Sequence, residues 1–573
     1  MKSSHADPIE MQHRLFAELS RMFGQEVPLY DKSLLVNRVV NESIVALLGQ
    51  LWRGFTVTAE QLAKTSGERH GAIRLGRPDE YRWIGRFFAQ FAMEPHAFYD
   101  MTNVGAKSQP IIATAFRSRL NPEHRVFTSL LMTDYFDAAT RARIEATLAT
   151  RQVFSAEAQR LIEQGERDGG LNWDDASALI REATERIFKW TGRARDHALF
   201  QELGKAGFKI AADIACFESH HLNHLTPNTL WMDLYTSAMK FCLGEMGEAV
   251  FRMHATIALG HFAVQADRDY LRLHFKHLDA TELAKLSPAE LPADAVAVSV
   301  AALAQRLKQD DLNLSRHKHS GFKDSTEGPP TNVPVLLRQD SYKALTEPVQ
   351  FSNTDGTTVN ATHTARFGEI EQRFYATTAK GRELYDRCFA AADAAKEKHP
   401  GLAKKDFVAY EKLAAEAFAP FPRTLIELVE QGLVFARFSA TESGRAAAKR
   451  GELRTRLRGW SPLSPAATGV AGDSDAHLKA ETNRLLALAR NGYVAIEGLR
   501  YEDFLPVSAA GIFASNLSQY GTQSTAHAKP TYTQAQLEEI LGRKIIEPNK
   551  SYAALEAESR AETLRELGLA AEN

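Results

Sequence analysis

Cysteine is scarce: the 573 residues contain three, Cys216, Cys242 and Cys388, with no paired spacing. That excludes a disulfide framework and a cysteine-rich zinc site. Neither sign of charge dominates, since 69 Lys and Arg stand against 71 Asp and Glu. The basic surplus of a nucleic-acid binder is missing, so no nucleic-acid partner is expected. No uninterrupted apolar run approaches the length of a bilayer span, so no membrane segment is expected. The opening MKSSHADPIEMQHRLF lacks the apolar centre of a signal peptide, which makes the cytoplasm the expected location. No short-period repeat is visible.

What is present is an ordinary globular composition, 44% hydrophobic and 24% charged, in a chain long enough for roughly two to four domains. Residues 1–64 read as an N-terminal helical segment, with Pro8 near a helix start and MQHRLFAELSRMF apolar at helical spacing. A strand at 69–75 follows. The Gly76-Arg77-Pro78 turn then opens a helix at 79–92, and strands are expected at 96–101, 110–116 and 125–131. The order is β-α-β-β-β. Residues 136–205 read as a charged helical insertion. A strand ending near His224, with Pro227 opening a helix, repeats the first layout, so the two halves read as duplicated modules. Residues 244–324 read as a second insertion, and strands are expected at 333–339, 348–352 and 364–375. The β core therefore spans 65–380. Residues 381–573 read as a helical region, with an exposed variable stretch at 439–476 and a return to the core near 493–515.

Three places carry candidate chemistry. In the strand ARFGEIEQRFYATTAK, residues Glu369, Glu371 and Arg373 share a face, because strand side chains alternate with period two. Acids on a rigid strand are good metal ligands, although a solvated strand face would look the same. His70 and Arg74, four apart in HGAIR, share a face on a strand or a helix. A neutral imidazole binds metals, and an arginine grips a carboxylate in a two-pronged fork. His220, His221 and His224 cluster in SHHLNHLTP; if extended, His220 and His224 face one way and His221 the other. His224 is favoured, since it precedes Pro227 as His70 precedes Pro78. Two histidines and one carboxylate from three strands make a facial triad with open positions, the arrangement that suits non-haem Fe(II).

ERHGAIRLG, NHLTP, TARFGEIEQR, KGRELYD and YEDFLPVSAAGIF, in that order, resemble the 2-oxoadipate dioxygenase/decarboxylase family, the (R)-2-hydroxyglutarate synthases. The resemblance implies an α+β fold: a vicinal-oxygen-chelate-like sheet core of β-α-β-β-β modules, with helical insertions and helical termini. EIEQR is also similar to the metal-ligand strand of 4-hydroxyphenylpyruvate dioxygenases, whose first Glu binds iron. Carried over, the Fe(II) ligands and catalytic residues are His70, His224 and Glu369, with Glu371 a neighbour behind them. Substrate contacts fall on His70, Arg74 and, through backbone groups, Val507. The implied reaction converts 2-oxoadipate and O₂ to (R)-2-hydroxyglutarate and CO₂. The implied partners are therefore a 2-oxo acid and O₂, and no oligomeric state follows.

Two departures stand out. The chain reads as about a hundred residues longer than typical bacterial members, by the two stretches 244–324 and 439–476, and Asn228 stands where a basic residue is expected after Pro227. Rival readings are a metal-dependent isomerase or lyase of the same fold, working without O₂, and a degenerate binding protein.

Overall fold

The computed structural model describes residues 5–102, 108–118, 124–219, 221–324, 326–453, 471–504 and 531–570. Helix α1 (Pro8–Glu26) starts with Pro8 in its first turn and Asp7 accepting from the backbone N–H groups of Ile9 and Glu10. Its apolar stripe, Met11, Leu15, Phe16, Leu19, Met22 and Phe23, is buried. Helix α2 (Pro28–Leu51) corrects one expectation: at 24 residues it is long and apolar enough to cross a membrane. Asp31, Lys32, Arg38 and Glu42 interrupt its apolar run, which hid it from a search for unbroken runs. Here Val36, Val40, Ile44, Leu47 and Leu48 are buried with residues of α10 (Met232–Cys242) and of the helix Ala295–Leu307.

The short strand β1 (Trp52–Arg53) and helix α3 (Ala59–Ser66) lead into the first module. It comprises β2 (Glu68–Leu75), α4 (Pro78–Ala89), β3 (Met93–Asp100), β4 (Ile111–Ser118) and β5 (Arg125–Leu131). This is the expected β-α-β-β-β order. Strand β2 lies parallel to β5 and antiparallel to β7 (His224–Pro227), giving a sheet of order β3-β4-β5-β2-β7. Both β4 and β5 are buried along their whole length, and helices cover them. The turn before α4 is locked by Glu80, which accepts from the N–H groups of Gly76 and Arg77 and pairs with Arg151 at 2.6 Å.

The region expected to be a helical insertion holds α5 (Ala138–Ala149), α6 (Ala156–Asp168), α7 (Trp173–Glu182) and α8 (His197–Lys205), with one short strand, β6 (Arg193–Arg195). Helix α9 (Lys209–Cys216) comes next. The strand expected to end near His224 begins there instead, and Pro227 closes it rather than opening a helix; α10 starts at Met232. The reason lies between them. Asn228 donates to Thr65 O, and its own carbonyl accepts from Asn37 and Asn41; Thr229 N–H donates to Glu371 O. These bonds hold 228–231 extended.

Helix α11 (Glu248–Gln265) and strands β8 (Ser287–Pro288), β9 (Leu337–Ser341), β10 (Leu345–Ser352), β11 (Thr358–Arg366) and β12 (Glu369–Arg373) follow. Strand β12 pairs antiparallel with β9 and touches the chain after β7 through a parallel Asn228–Glu371 bridge. The β10–β11 hairpin swings out to pair with β6. The single strand expected at 364–375 is broken between β11 and β12. A Cβ on Gly368 would lie 2.4 Å from the Tyr342 ring, so the chain passes that ring only as glycine.

Of the stretch 439–476, expected to be mostly exposed, residues 454–470 lie outside the described residues; between 439 and 453 only Ala440, Gly444, Ala447 and Leu453 are buried. Strand β13 (Ala436–Ala440) pairs with β14 (Val494–Gly498), and a helix at Glu442–Lys449 packs so closely that a Cβ on Gly444 would lie 2.1 Å from Tyr493 O. Beyond β14, residues 499–504 return to the first sheet, where Phe504 exchanges hydrogen bonds with Tyr99. All three cysteines are buried and free.

Candidate metal centre

Three strands deliver three side chains to one point. His70 comes from the middle of β2, His224 from the first residue of β7, and Glu369 from the first residue of β12. Register explains the first two: Ala72 pairs with His224, and His70 with Thr226. The ligating atoms of His70, His224 and Glu369 all lie within 4.8 Å of one another, and all three residues are buried. His70 Nε2 is 2.7 Å from Glu369 Oε2, and His224 Nε2 is 3.7 Å from the same oxygen. Thr226 Oγ1 donates to Glu369 Oε2 at 2.8 Å and lies 2.9 Å from His70 Nε2. Glu369 Oε1 is buried without a hydrogen-bond partner among the described residues. A buried carboxylate oxygen left bare is costly unless a cation completes it.

The electrostatics favour a cation. Burial pulls the His224 pKa down to about 4, with Glu369 opposing and His70 and Arg74 reinforcing the fall. His224 is therefore neutral at pH 7, with a lone pair available. Burial pushes Glu369 up, but His224, His70 and Thr226 outweigh it and hold the carboxyl below its ordinary range. An anion and a neutral imidazole therefore converge on one point. Two nitrogens and one carboxylate oxygen fit a divalent transition metal.

Behind His70 lies a second acid. Glu371 Oε2 is 2.9 Å from His70 Nδ1. Arg373 clamps Glu371 with two bonds, 2.7 Å from Nε and 2.8 Å from Nη2, and Arg125 Nη1 donates at 3.2 Å. Burial would raise the Glu371 carboxyl, yet Arg373, His70 and Arg125 hold it well below the usual range. Arg125 also pairs with Glu502, while Arg373 donates to the carbonyls of Tyr501 and Asp503. This lattice fixes residues 501–503, and the next residue, Phe504, sets its ring edge-on to His70 with centroids 4.8 Å apart. An anion at Nδ1 places the proton there and leaves Nε2 for a metal.

Sequence reasoning missed Thr226, Arg125, Glu502 and Phe504. Thr226 was within reach, since it shares a face with His224 two residues on. Arg125, a charge opening an apolar strand, was a weaker signal. Arg74 shares the face of His70 as expected, but its Nη1 donates to Asp213 at 2.6 Å, an ion pair the sequence did not suggest. Val507 lies outside the described residues.

The profile of the 2-oxoadipate dioxygenase/decarboxylase family matches residues 15–245 and 268–516. The chain belongs to that family. A 2-oxoadipate dioxygenase/decarboxylase of Pseudomonas putida is 33% identical over 96% of each chain, and one of Escherichia coli is 30% identical over 96% of this chain and 97% of its own. A solved hydroxyglutarate synthase of Pseudomonas putida superimposes with TM-score 0.63 at 28% identity over 99% of both chains. The same enzyme in complex with 2-oxoadipate gives 0.62 at 29% identity over 99% of both chains.

Against these dioxygenase/decarboxylases the expectation of a much longer chain fails, because the alignments cover nearly all of both partners. The only internal stretch outside the family match is 246–267, which contains α11. Residues 439–476 fall within the match. Asn228, where a basic residue was expected, is spent on structure: besides Thr65 it meets Arg500, whose Nη2 donates to Asn228 Oδ1 at 3.2 Å.

Proposed function

We propose that this chain is an Fe(II)-dependent 2-oxoadipate dioxygenase/decarboxylase of the cytoplasm, forming (R)-2-hydroxyglutarate and CO₂ from 2-oxoadipate and O₂. The observation that carries this is the buried His70–His224–Glu369 cluster with its bare Glu369 Oε1, in a member of this family. The atoms of 2-oxoadipate and O₂ balance those of the two products, so no second reductant is required.

His70, His224 and Glu369 would hold the metal on one face. Bound Fe(II) supplies chelation of a 2-oxo acid and activation of O₂, the chemistry a 2-His-1-carboxylate face supports. The protein's own residues do the rest. Glu371 orients His70 through Nδ1 and is kept anionic by Arg373 and Arg125. Thr226 holds Glu369 Oε2 by its hydroxyl. Phe504 covers the His70 ring and keeps water from its edge. Arg74 binds a carboxylate of the substrate. Positioning of this kind accounts for several kcal/mol of a barrier, about 7–11 kcal/mol in favourable cases.

The test is anaerobic removal of metal, reloading with Fe(II), Zn(II), Mn(II) or Ni(II), and O₂ uptake with a panel of 2-oxo acids. The proposal expects uptake with Fe(II) alone, highest for 2-oxoadipate and matched by CO₂ release. Turnover with Zn(II) and no O₂ would make the protein an isomerase or lyase. Failure to bind any of the metals would make it a binding protein.

A further inference from the structure

Arg74 is aimed by residues that the reaction itself leaves without a task. Asp213, on α9, accepts from Arg74 Nη1 at 2.6 Å through Oδ2. Its other oxygen, Oδ1, is 3.0 Å from His363 Nε2 on β11. The three side chains are 4%, 5% and 1% exposed. The His363 ring is itself wedged: it stacks on Trp190 with centroids 5.3 Å apart and packs against Phe217 at 4.5 Å. Three segments far apart in the chain thus meet around Asp213, which touches Arg74 through one oxygen and His363 through the other.

Burial alone lowers the proton affinity of Arg74, and Asp213 is the group that offsets it. A buried guanidinium without a counter-charge is strongly unfavourable. The plane of a guanidinium also decides whether it meets a carboxylate with two bonds or one. A carboxylate bonded to one end at 2.6 Å, and flanked at 3.0 Å by an imidazole wedged between aromatic rings, limits how that plane can turn.

We propose that Asp213, braced by His363, is the positioning residue that aims Arg74 at the carboxylate of the 2-oxo acid and so sets the preference for dicarboxylic substrates. The proposal rests on the reading of Arg74 as a substrate clamp. Neither Asp213 nor His363 touches the metal-ligand atoms, so their effect is expected in substrate binding and not in metal loading.

The experiment uses full-length, metal-loaded protein under anaerobic conditions. Equilibrium binding of 2-oxoadipate and of a monocarboxylic 2-oxo acid of similar length is measured by calorimetry, and KM and kcat are measured in air. Asp213→Asn keeps the shape and removes the charge. It is expected to weaken 2-oxoadipate binding and raise KM about ten-fold, with kcat changed far less, metal affinity unchanged and the monocarboxylic acid nearly unaffected. Arg74→Lys should weaken 2-oxoadipate similarly, and adding Asp213→Asn to it should cost little more. A full additional ten-fold in the double variant overturns the proposal, as does normal 2-oxoadipate binding by Asp213→Asn beside a defective Arg74→Lys. Normal binding by Arg74→Lys overturns the clamp reading itself. If Asp213→Asn does not fold, His363→Phe keeps the ring against Trp190 and removes the brace. It should weaken 2-oxoadipate alone, by about three-fold; no loss, or equal loss for both acids, overturns the proposal.

Discussion

Glu369 and Glu371 sit two residues apart on one strand and have opposite surroundings. Glu369 has a bare oxygen; Glu371 has two arginines and an imidazole. Neutralising them should therefore separate two properties. Glu369→Gln should abolish metal binding, since the ligand must be anionic, with little loss of stability in the metal-free protein. Glu371→Gln should keep most of the metal and lose about 10–100-fold in activity. It should also lower the melting temperature of the metal-free protein, because it breaks buried ion pairs, a change worth about 3–5 kcal/mol where measured. Metal analysis and thermal melts of both variants check this, and equal metal loss in the two would show that the acids share one role. Period-two alternation put both acids on one face of the sequence's strand. It could not assign Arg125 and Glu502 to them, because Arg125 arrives from 246 residues upstream of Glu371 and Glu502 joins only through Arg125, 377 residues from it.

At the scale of elements, the break between β11 and β12 sets where Glu369 starts. Gly368 passes the Tyr342 ring with no room for a Cβ. Gly368→Ala should push β12 from Tyr342, lowering the melting temperature and weakening metal binding. Tyr342→Leu in the same chain should restore part of both; no restoration would mean that the ring contact does not set the strand. The first module was readable because its signals are local. Strand β5 has the bounds read from the sequence, and Pro78 marks α4. The strand at His224 was misjudged because its extended course past Pro227 is enforced by Asn37, Asn41 and Thr65, all more than 150 residues away.

Across the whole molecule, the C-terminal region is docked on the first sheet next to a buried titratable group. His96 bridges to Ile546, and neither of its ring nitrogens has a hydrogen-bond partner among the described residues. Burial pulls its pKa down to about 3, Arg117 adds to the fall and Asp503 opposes it. The unfolded chain has His near 6.5, so it binds the proton first and protonation favours unfolding. The contribution of His96 is intact above about pH 6.5 and is lost as pH falls toward 3. His96→Phe should shift acid unfolding, followed by circular dichroism, to lower pH; an unchanged midpoint would mean that His96 does not govern it. The sequence near His96 shows its strand partner on β4 but not this burial, because Asp503 and Ile546 come from the far end of the chain.

A metal held by His70, His224 and Glu369 is expected to join O₂ and 2-oxoadipate in one active site. Labelled ¹⁸O₂ tests it most directly, with the Fe(II)-reconstituted protein, 2-oxoadipate and mass spectrometry of the product. The expected product is 2-hydroxyglutarate carrying both labelled atoms, with one CO₂ released per O₂ consumed and no product from His224→Ala. Product formed without label, or formed equally under nitrogen, would contradict it.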